Sequence, residues 1–330
     1  MNTRIHALAT DRYGDLSRLS IIELPLPKPA SGEVRVRVRA TALNPADYKV
    51  IKGQVKFLHA RNFPLVLGYD FSGTVEAIGS SVSQVAPGDD VFGFLAYGPT
   101  NRRGAFAEAL IARVGRIALK PPGISHSQAA AAATTGVTAL QALRDLGRLG
   151  QPGRQVLVTG VSGGVGSIAI GIAKRLGARV TALGSAHGLE IAIQLGAERT
   201  IDRTREDPIG PSAGRYDVVF DAAAAFRWRQ WRKHLNCGGT YVTTLPSLAF
   251  VVDKLSSLVA GTRCALVTVK SKPADLRILG EWLTGGLPVP VARTIPLVEV
   301  PETLAQLARG EMQGRVVVEM DTIGRAASGS

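Results

Sequence analysis

The chain has 330 residues, a formal net charge of +13 and 45% hydrophobic residues. This length is sufficient for two domains that each bury a core, and the composition is typical of soluble α/β proteins rather than of disordered or fibrous ones. No apolar run reaches the roughly 18–20 residues that cross a bilayer, and the first residues lack the apolar segment of a secretory signal. Only two cysteines occur, which argues against a disulfide framework and a cysteine-based zinc site. We therefore expect a cytoplasmic protein.

The positive charge favours anionic ligands, including a phosphorylated cofactor. Lys and Arg are scattered along the chain, and their densest group is Arg227–Lys233. At helical spacing Trp228, Trp231 and Leu235 face inward there, while the Arg side chains face solvent. We expect an ordinary solvated helix face and no nucleic-acid partner, with a patch that binds a membrane or nucleic acid as the alternative.

The first part of the chain, to about residue 125, has β patterns. Glu33–Thr41 alternates apolar and charged residues with period two, as a half-solvated strand does. Gly73–Gly79 and Asp89–Ala96 are predicted to be further short strands, separated by a turn signal at Ala86–Asp90.

From Ser125 the pattern changes to alternating helices and strands. Ser125–Gly147 is rich in Ala and predicted to be helical, with Ser125 and Gln128 spaced for a capping box. Further segments follow in the order strand, helix, strand, helix, strand, strand, helix, strand: Arg154–Gly160, Val165–Ala178, Arg179–Gly184, Gly188–Ala197, Arg199–Asp202, Tyr216–Ala223, Arg227–Leu235 and Gly238–Leu245. Strands that alternate with helices of this length predict βαβ units and a parallel sheet.

A glycine-rich loop connects the strand Arg154–Gly160 to the helix that follows it. A pyrophosphate binds at a helix N-terminus only where backbone N–H groups approach it without Cβ atoms in the way. Gly163, Gly164 and Gly166 provide that clearance, and the flanking strand and helix strengthen the signal. The alternative is a glycine-rich structural turn.

The end of the next strand, Arg179–Gly184, lacks an acidic residue. NAD-binding folds place an Asp or Glu there to bind the ribose 2′-hydroxyl. This chain has Ser185 and His187, which can hydrogen-bond a 2′-phosphate, and Arg203 after the third strand could add a full charge. The missing carboxylate therefore favours NADPH over NADH.

Several motifs together resemble the zinc-independent medium-chain dehydrogenase/reductase superfamily of the quinone oxidoreductase and alkenal/enone reductase type. They include "ALNPADYKVIKG", "PLVLGYDFSGTVEAIGSSVSQVAPGDDVFG", "GAFAEALIA", "VLVTGVSGGVGSIAIGIAKRLGA" and "GEMQGRVVVEM", and the resemblance covers about residues 4–321. It implies an α/β fold with a GroES-like, mostly β catalytic domain at residues 1–125, completed by 295–330. It also implies an NADPH-binding Rossmann domain, a doubly wound parallel sheet, at residues 126–294.

The residues also indicate that the chain is not a zinc alcohol dehydrogenase. The zinc branch has a Cys in the segment that matches "ALNPADYK", a Gly-His-Glu where this chain has Gly68-Tyr69-Asp70, and a four-cysteine lobe. None of these is present, so we expect no metal and no zinc-based Lewis acid.

For catalysis, the resemblance implies that Asn44 lies on the nicotinamide side of the active site and that Asp47 fixes the same loop. Lys49 stands where quinone reductases usually have an aromatic residue, and its ammonium could stabilise a developing enolate or hydroquinone oxygen; the alternative is a solvated loop residue. Tyr48 is a candidate proton donor, although a packed Tyr with a satisfied hydroxyl is the preferred interpretation. The proton-donating Tyr of the enoyl-thioester reductase branch is missing from residues 53–59.

For the cofactor, the resemblance assigns Thr138 to the nicotinamide end and Ser162, Gly163, Gly164 and Val165 to the pyrophosphate. Thr244 and Leu245 are expected near the nicotinamide, and Asp221 is interpreted as a structural cap rather than a catalytic acid. Ser247–Gly261 is apolar enough to line a substrate pocket, although a plain packed helix is the preferred interpretation.

These observations predict an NADPH-dependent reductase of small enones, enals or quinones, either monomeric or homodimeric. The alternatives are a tailoring or enoyl-thioester reductase that acts on a larger natural product, and a non-catalytic NADPH-binding interaction protein with a basic, membrane-facing surface.

Overall fold

The computed structural model describes residues 3–54, 63–96 and 103–320. Two compact units form: the first comprises Met1–Thr134, Ser271–Gly286 and Val291–Ser330, and the second comprises Thr135–Lys270 and Leu287–Pro290. The α/β fold class expected from the sequence is confirmed. The domain boundaries that the sequence suggests, at residues 125/126 and 294/295, stay a prediction, and the two units are described separately.

The strands are β1 (Thr3–Thr10), β2 (Ser20–Leu26), β3 (Glu33–Ala42), β4 (Leu65–Val66), β5 (Asp70–Ile78), β6 (Asp90–Phe94), β7 (Ala109–Arg113), β8 (Ile117–Leu119), β9 (Gln155–Thr159), β10 (Arg179–Gly184), β11 (Arg199–Asp202), β12 (Tyr216–Asp221), β13 (Leu235–Thr243), β14 (Arg263–Leu266), β15 (Val291–Pro296) and β16 (Arg315–Glu319). The helices are α1 (Pro45–Ile51), α2 (His126–Leu140), α3 (Gly164–Arg175), α4 (Ala186–Gln194), α5 (Trp228–Trp231), α6 (Leu248–Ser257), α7 (Pro273–Thr284) and α8 (Val300–Arg309). Among the described residues, no helix is both long and apolar enough to cross a membrane.

The first unit is built on two β-sheets. One has the order β2-β1-β4, and the other has the order β15-β16-β3-β5-β6-β8, with β7 also paired to β3. The predicted alternation in β3 is confirmed, because Val34, Val36 and Val38 are buried in the core of this unit. The C-terminal strand β16 pairs antiparallel with the end of β3, so residues near position 315 lie beside the start of α1.

The second unit is a parallel sheet of six strands in the order β11-β10-β9-β12-β13-β14. Because all six strands run in the same direction, their carboxyl ends lie along one edge of the sheet and their amino ends along the other. We call these the carboxyl edge and the amino edge. The glycine-rich loop follows β9 and therefore lies at the carboxyl edge, where open α/β sheets bind their ligands.

The local predictions are confirmed with two corrections. Ser125 and Gln128 form the capping box, with backbone-to-side-chain hydrogen bonds of 3.1 Å in both directions. Trp228, Trp231 and Leu235 are buried as expected. However, the helix predicted over Arg227–Leu235 is only α5 followed by a short 3-10 turn, because the chain enters β13 at Leu235.

The second correction concerns α6, which is a helix that packs against the core through Phe250 but leaves most of its apolar residues exposed. Its buried side chains are Asp253 and Ser257, whereas its Leu and Val residues are exposed. Asp253 turns inward because it forms ion pairs with Arg227 and Arg229, at 3.0 and 3.1 Å.

Candidate active site

The loop between β9 and α3 has a backbone that requires glycine at two positions. Gly160 adopts φ +66°, a left-handed conformation. A Cβ at Gly166 would lie 2.3 Å from the Gly160 carbonyl oxygen, so no larger residue fits there. Gly163 is the N-cap of α3, and its N–H donates to the Gly160 carbonyl at 2.9 Å. The first N–H groups of α3 have no partner within the helix and form a site for an anion.

The residues predicted to bind a 2′-phosphate lie together at the end of β10. Ser185 is the N-cap of α4 and makes no side-chain capping hydrogen bond, so its hydroxyl is not used by the helix. The backbone N–H of Arg203 donates to the Gly184 carbonyl at 3.0 Å, which fixes Arg203 beside Ser185. His187 is largely exposed on the first turn of α4, with Nδ1 4.0 Å from the Glu190 carboxylate.

Asp202 is an acidic residue in this region that the sequence analysis did not consider. It pairs in register with Gly184, at the end of β11. Its carboxylate accepts hydrogen bonds from the backbone and hydroxyl of Thr204, at 2.9 and 2.7 Å, which hold the pKa of Asp202 below its usual value. Asp202 is thus already hydrogen-bonded within its own turn. The sequence could have indicated its position, because Asp202 ends the predicted strand "RTID".

Asp221 at the end of β12 is a structural cap, as expected. It is fully buried and accepts hydrogen bonds from the hydroxyls of Thr159 and Tyr241, at 2.6 and 2.7 Å. It also accepts the backbone N–H groups of Ala225 and Phe226, which closes the turn after β12. Burial and the Asp221 charge raise the pKa of Tyr241 above its usual value, so this phenol is a poor acid.

The remaining predicted cofactor residues lie at or after strand and helix ends in the second unit. Thr138 is buried on α2, and the Thr244 hydroxyl donates to the Ala222 carbonyl at 3.3 Å. Leu245 is half exposed and lines a cavity of about 230 Å³ beneath α6, together with aromatic side chains that include Phe226 and Phe250. Side chains of the α6 segment line this cavity, and its use as a substrate pocket stays a prediction. Ser162 and Val165 lie in the loop and the first turn of α3.

In the first unit, α1 carries the four predicted catalytic residues. Asn44 is the N-cap, and its backbone N–H donates to Asp47 at 2.7 Å. Asp47 also accepts the Gly68 N–H at 3.2 Å, so it fixes this loop as expected. Tyr48 and Lys49 are half-buried, and the Lys52 ammonium lies 5.9 Å from the centre of the Tyr48 ring.

A buried arginine that sequence reasoning missed holds this loop. Arg315, at the start of β16, donates to the Asn44 side-chain oxygen at 2.9 Å and to the Asp70 carboxylate. The Asn44 amide in turn donates to Asp70 at 2.9 Å, so both ends of the amide are bonded. Arg315 also donates to the Leu43 and Ala131 carbonyls, and Asp70 accepts the Thr134 N–H. In the sequence, Arg315 is marked only as the positively charged residue within the motif "GEMQGRVVVEM".

Two carboxylates and one guanidinium share this buried region. Burial, together with the nearby Asp70 charge, raises the pKa of Asp47 to about 7, although its two backbone hydrogen bonds and Arg315 act in the opposite direction. Arg315 forms its ion pair with Asp70, and Asp47 takes up a proton near neutral pH.

The site residues fit a dinucleotide. The glycine loop leaves backbone N–H groups accessible, and the Arg203 backbone is bonded to the end of β10, where a 2′-phosphate would need a cation. Among residues 3–54, 63–96 and 103–320, no three His, Cys, Asp or Glu side chains are grouped to hold a metal. Residues 53–59, which lack the proton-donating Tyr of the enoyl-thioester reductase branch, lie mostly outside the described residues.

Two family models match this chain. Residues 30–122 match the alcohol dehydrogenase GroES-like domain, and residues 195–318 match the zinc-binding dehydrogenase family. The chain is 30% identical to a chloroplastic quinone oxidoreductase of Triphysaria versicolor, over 96% of this chain and 98% of that protein. It is 34% identical to an NADPH-dependent alkenal/one oxidoreductase of Arabidopsis thaliana, over 64% of this chain and 56% of that protein.

A solved structure shares the fold over nearly the whole chain. The quinone oxidoreductase of Coxiella burnetii superposes with a TM-score of 0.86 at 28% identity, and the match covers 96% of this chain and all of that one.

The raised pKa of Asp47 predicts a pH-dependent stability. In the unfolded chain an Asp has a pKa near 3.9, so the folded protein binds an extra proton between about pH 4 and 7. The stability that this proton contributes is complete below about pH 4 and is lost as the pH rises through about 7. Over that window we expect the free energy of unfolding of the wild type to fall relative to that of Asp47→Asn, by at most about 1.4 kcal/mol per pH unit. Urea unfolding at several pH values measures this difference, and parallel pH profiles would contradict it.

Proposed function

Because the chain belongs to the medium-chain dehydrogenase/reductase superfamily, of the quinone and enone reductase type, we propose that it is an NADPH-dependent reductase. Its substrates would be α,β-unsaturated carbonyls or quinones, and the reaction would need no zinc. The main observation behind the proposal is the glycine-rich loop Gly160–Gly166, where backbone N–H groups at the start of α3 can bind phosphate. The neighbouring end of β10 has Ser185 and the nearby Arg203 instead of an acidic residue. The relative named as an NADPH-dependent alkenal/one oxidoreductase supports the same cofactor and substrate class.

The chain's own residues would bind the two ends of the dinucleotide. The N–H groups of Gly164 and Val165, with the Ser162 hydroxyl, would bind the pyrophosphate, and Gly163, whose N–H is bonded to Gly160, would let it approach without a Cβ in the way. Arg203, Ser185 and His187 would bind the 2′-phosphate through charge-assisted hydrogen bonds. Thr138, Thr244 and Leu245 of the second unit are proposed for the nicotinamide end, and the cofactor contact of Asn44 stays what the family resemblance implies. When bound, the reduced nicotinamide supplies the hydride.

The remaining chemistry is the stabilisation of a developing oxyanion and the delivery of one proton. Lys49, near the C-terminal end of α1, would provide a cationic donor to the enolate or hydroquinone oxygen. Tyr48 or solvent would deliver the proton. Asp47 would act on Asn44 and the Gly68 backbone, and through them hold α1 in position.

The residue types support a reaction without zinc. Asp70 stands where the zinc branch has the Glu of its Gly-His-Glu motif, and its carboxylate is bonded to Arg315, Asn44 and the Thr134 backbone. Cys237 is exposed on the surface and Cys264 is buried, and both lie in the second unit.

The cytoplasmic location of the protein stays a prediction.

A substrate screen tests the proposed function directly. NADPH oxidation is measured with enones, enals and quinones, and the products are identified. A saturated ketone would establish C=C reduction, and a hydroquinone would establish quinone reduction. If no member of the three classes oxidised NADPH, the proposal would be wrong.

Cofactor preference tests the 2′-phosphate site. We expect the wild type to bind NADPH more tightly than NADH, and Arg203→Gln to weaken NADPH binding by roughly tenfold or more, the size of a charged hydrogen bond, with NADH binding unchanged. Calorimetry measures both dissociation constants. Arg205→Gln is the matched control because Arg205 is exposed, lies two residues away and pairs with Asp202. Equal constants for NADH and NADPH in the wild type would refute this site.

The role of Lys49 has its own test. Lys49→Ala is expected to lower kcat on an accepted enone by about 10²–10³-fold, as the loss of one oxyanion donor does, without changing the affinity for NADPH. Lys28→Ala removes an exposed cation elsewhere in the first unit and serves as the control. An unaltered kcat in Lys49→Ala would remove this residue from the mechanism.

A further inference from the structure

A cavity of about 310 Å³ lies at the amino edge of the six-stranded sheet, in the second unit. Its lining includes residues at or directly before the starts of β9, β10, β11 and β12, and three of them are arginines: Arg179, Arg199 and Arg215. Three further lining residues are buried: Val180, Thr181 and Tyr216. The volume is at the lower end of the range of small-molecule sites. The glycine loop lies at the carboxyl edge, so the cavity is separate from the proposed dinucleotide site.

The Arg199 guanidinium is held at this cavity by backbone carbonyls. Its two terminal nitrogens donate to the carbonyls of Ser212 and Ala213, at 2.6 and 3.3 Å. The guanidinium lies next to Gly214, where a Cβ would be 3.0 Å from Arg199 Nη1 and where φ is +85°. Glycine at this position therefore lets the Arg199 side chain reach from β11 to the segment before β12.

Arg215 brings a second guanidinium to the same cavity. It directly follows Gly214, and its Nη2 donates to the Leu235 carbonyl at 3.2 Å. In the part of the chain that the structure describes, neither Arg199 nor Arg215 forms an ion pair with an Asp or Glu side chain. Each guanidinium also has more N–H donors than these carbonyls use. Both groups are thus oriented by neutral acceptors and keep their charge and some of their donors for a ligand.

The third arginine of the cavity is balanced by a carboxylate. Arg179 Nε lies 2.9 Å from Glu198, and the Lys174 ammonium lies 3.7 Å from the same carboxylate. The hydrogen bond from Arg179 holds the pKa of Glu198 below its usual value, so Glu198 is ionised at neutral pH. The positive charges of Arg199 and Arg215 therefore remain in excess at the cavity.

Charge and donor geometry favour a phosphate monoester among small anions. Its phosphate group carries a charge of about −1.5 to −2 at neutral pH and has three strong acceptor oxygens, which suits two guanidinium groups. Arginine forms bidentate hydrogen bonds with phosphate oxygens. The part of the cavity that is lined by Val180 and Tyr216 would take a small organic group.

We propose that this cavity is an anion site that binds a small soluble phosphate monoester through Arg199 and Arg215. The carbonyls of Ser212 and Ala213 would position the Arg199 guanidinium, and Arg179 would stay paired with Glu198. This inference is independent of the proposed reductase activity, because it involves none of the residues at the carboxyl edge.

Calorimetric titration of the full chain with glycerol 3-phosphate tests the proposal. We expect saturable binding by the wild type, weaker binding of malonate, which carries two carboxylates, and no binding of glycerol. Arg215→Gln should raise the dissociation constant for glycerol 3-phosphate by roughly tenfold or more, the size of a charged hydrogen bond. Arg199→Gln/Arg215→Gln should raise it by on the order of 100-fold. Circular dichroism checks the folding of both variants, and Arg215→Gln alone retains the carbonyl bonds of Arg199.

Two control variants locate the bound phosphate. Arg232→Gln removes an exposed charge near the same edge, outside the cavity lining, and should leave the dissociation constant unchanged. Arg203→Gln removes a cation at the carboxyl edge and should leave it unchanged as well. Co-sedimentation with vesicles that contain phosphatidic acid distinguishes a lipid headgroup from a soluble ester.

Several results would overturn the proposal. Failure of the wild type to bind glycerol 3-phosphate would do so, as would equal losses of affinity in Arg215→Gln and Arg232→Gln. A larger loss in Arg203→Gln than in Arg215→Gln would assign the phosphate to the carboxyl edge. Equal affinity for malonate would contradict the ligand class. Binding to phosphatidic acid vesicles without binding of glycerol 3-phosphate would contradict a soluble ligand.

Discussion

The ion pair between Arg315 and Asp70 is the interaction on which the organisation of the candidate site in the first unit depends. Both side chains are almost completely buried, and removing one partner from such a pair costs about 3–5 kcal/mol because an uncompensated charge remains. The pair is tolerated because its hydrogen bonds are satisfied: Arg315 reaches the Leu43 and Ala131 carbonyls, and Asp70 accepts from Thr134 and Asn44. One guanidinium thus joins the start of α1, the start of β5 and the middle of α2, and it sets the position of the Asn44 amide.

Asp47 completes this arrangement with a different kind of constraint. Burial disfavours the charged form of Asp47, and the nearby Asp70 charge adds a smaller effect of the same sign, so the pKa of Asp47 rises to about 7. Its two backbone hydrogen bonds, from Asn44 and Gly68, hold α1 against the chain segment before β5. The loop that carries Tyr48 and Lys49 is therefore positioned by a carboxyl group whose charge changes near neutral pH.

Features that depend on neighbouring residues could be predicted from the sequence, and those that depend on distant partners could not. The glycine loop, the Ser125 capping box and the bounds of β10 and β11 follow from local spacing, and all agree with the structure. Arg315 was missed because its partner Asp70 lies 245 residues away. The orientation of α6 was missed because helical periodicity shows that two faces differ but not which one packs inward; the ion pairs of Asp253 with Arg227 and Arg229 decide that.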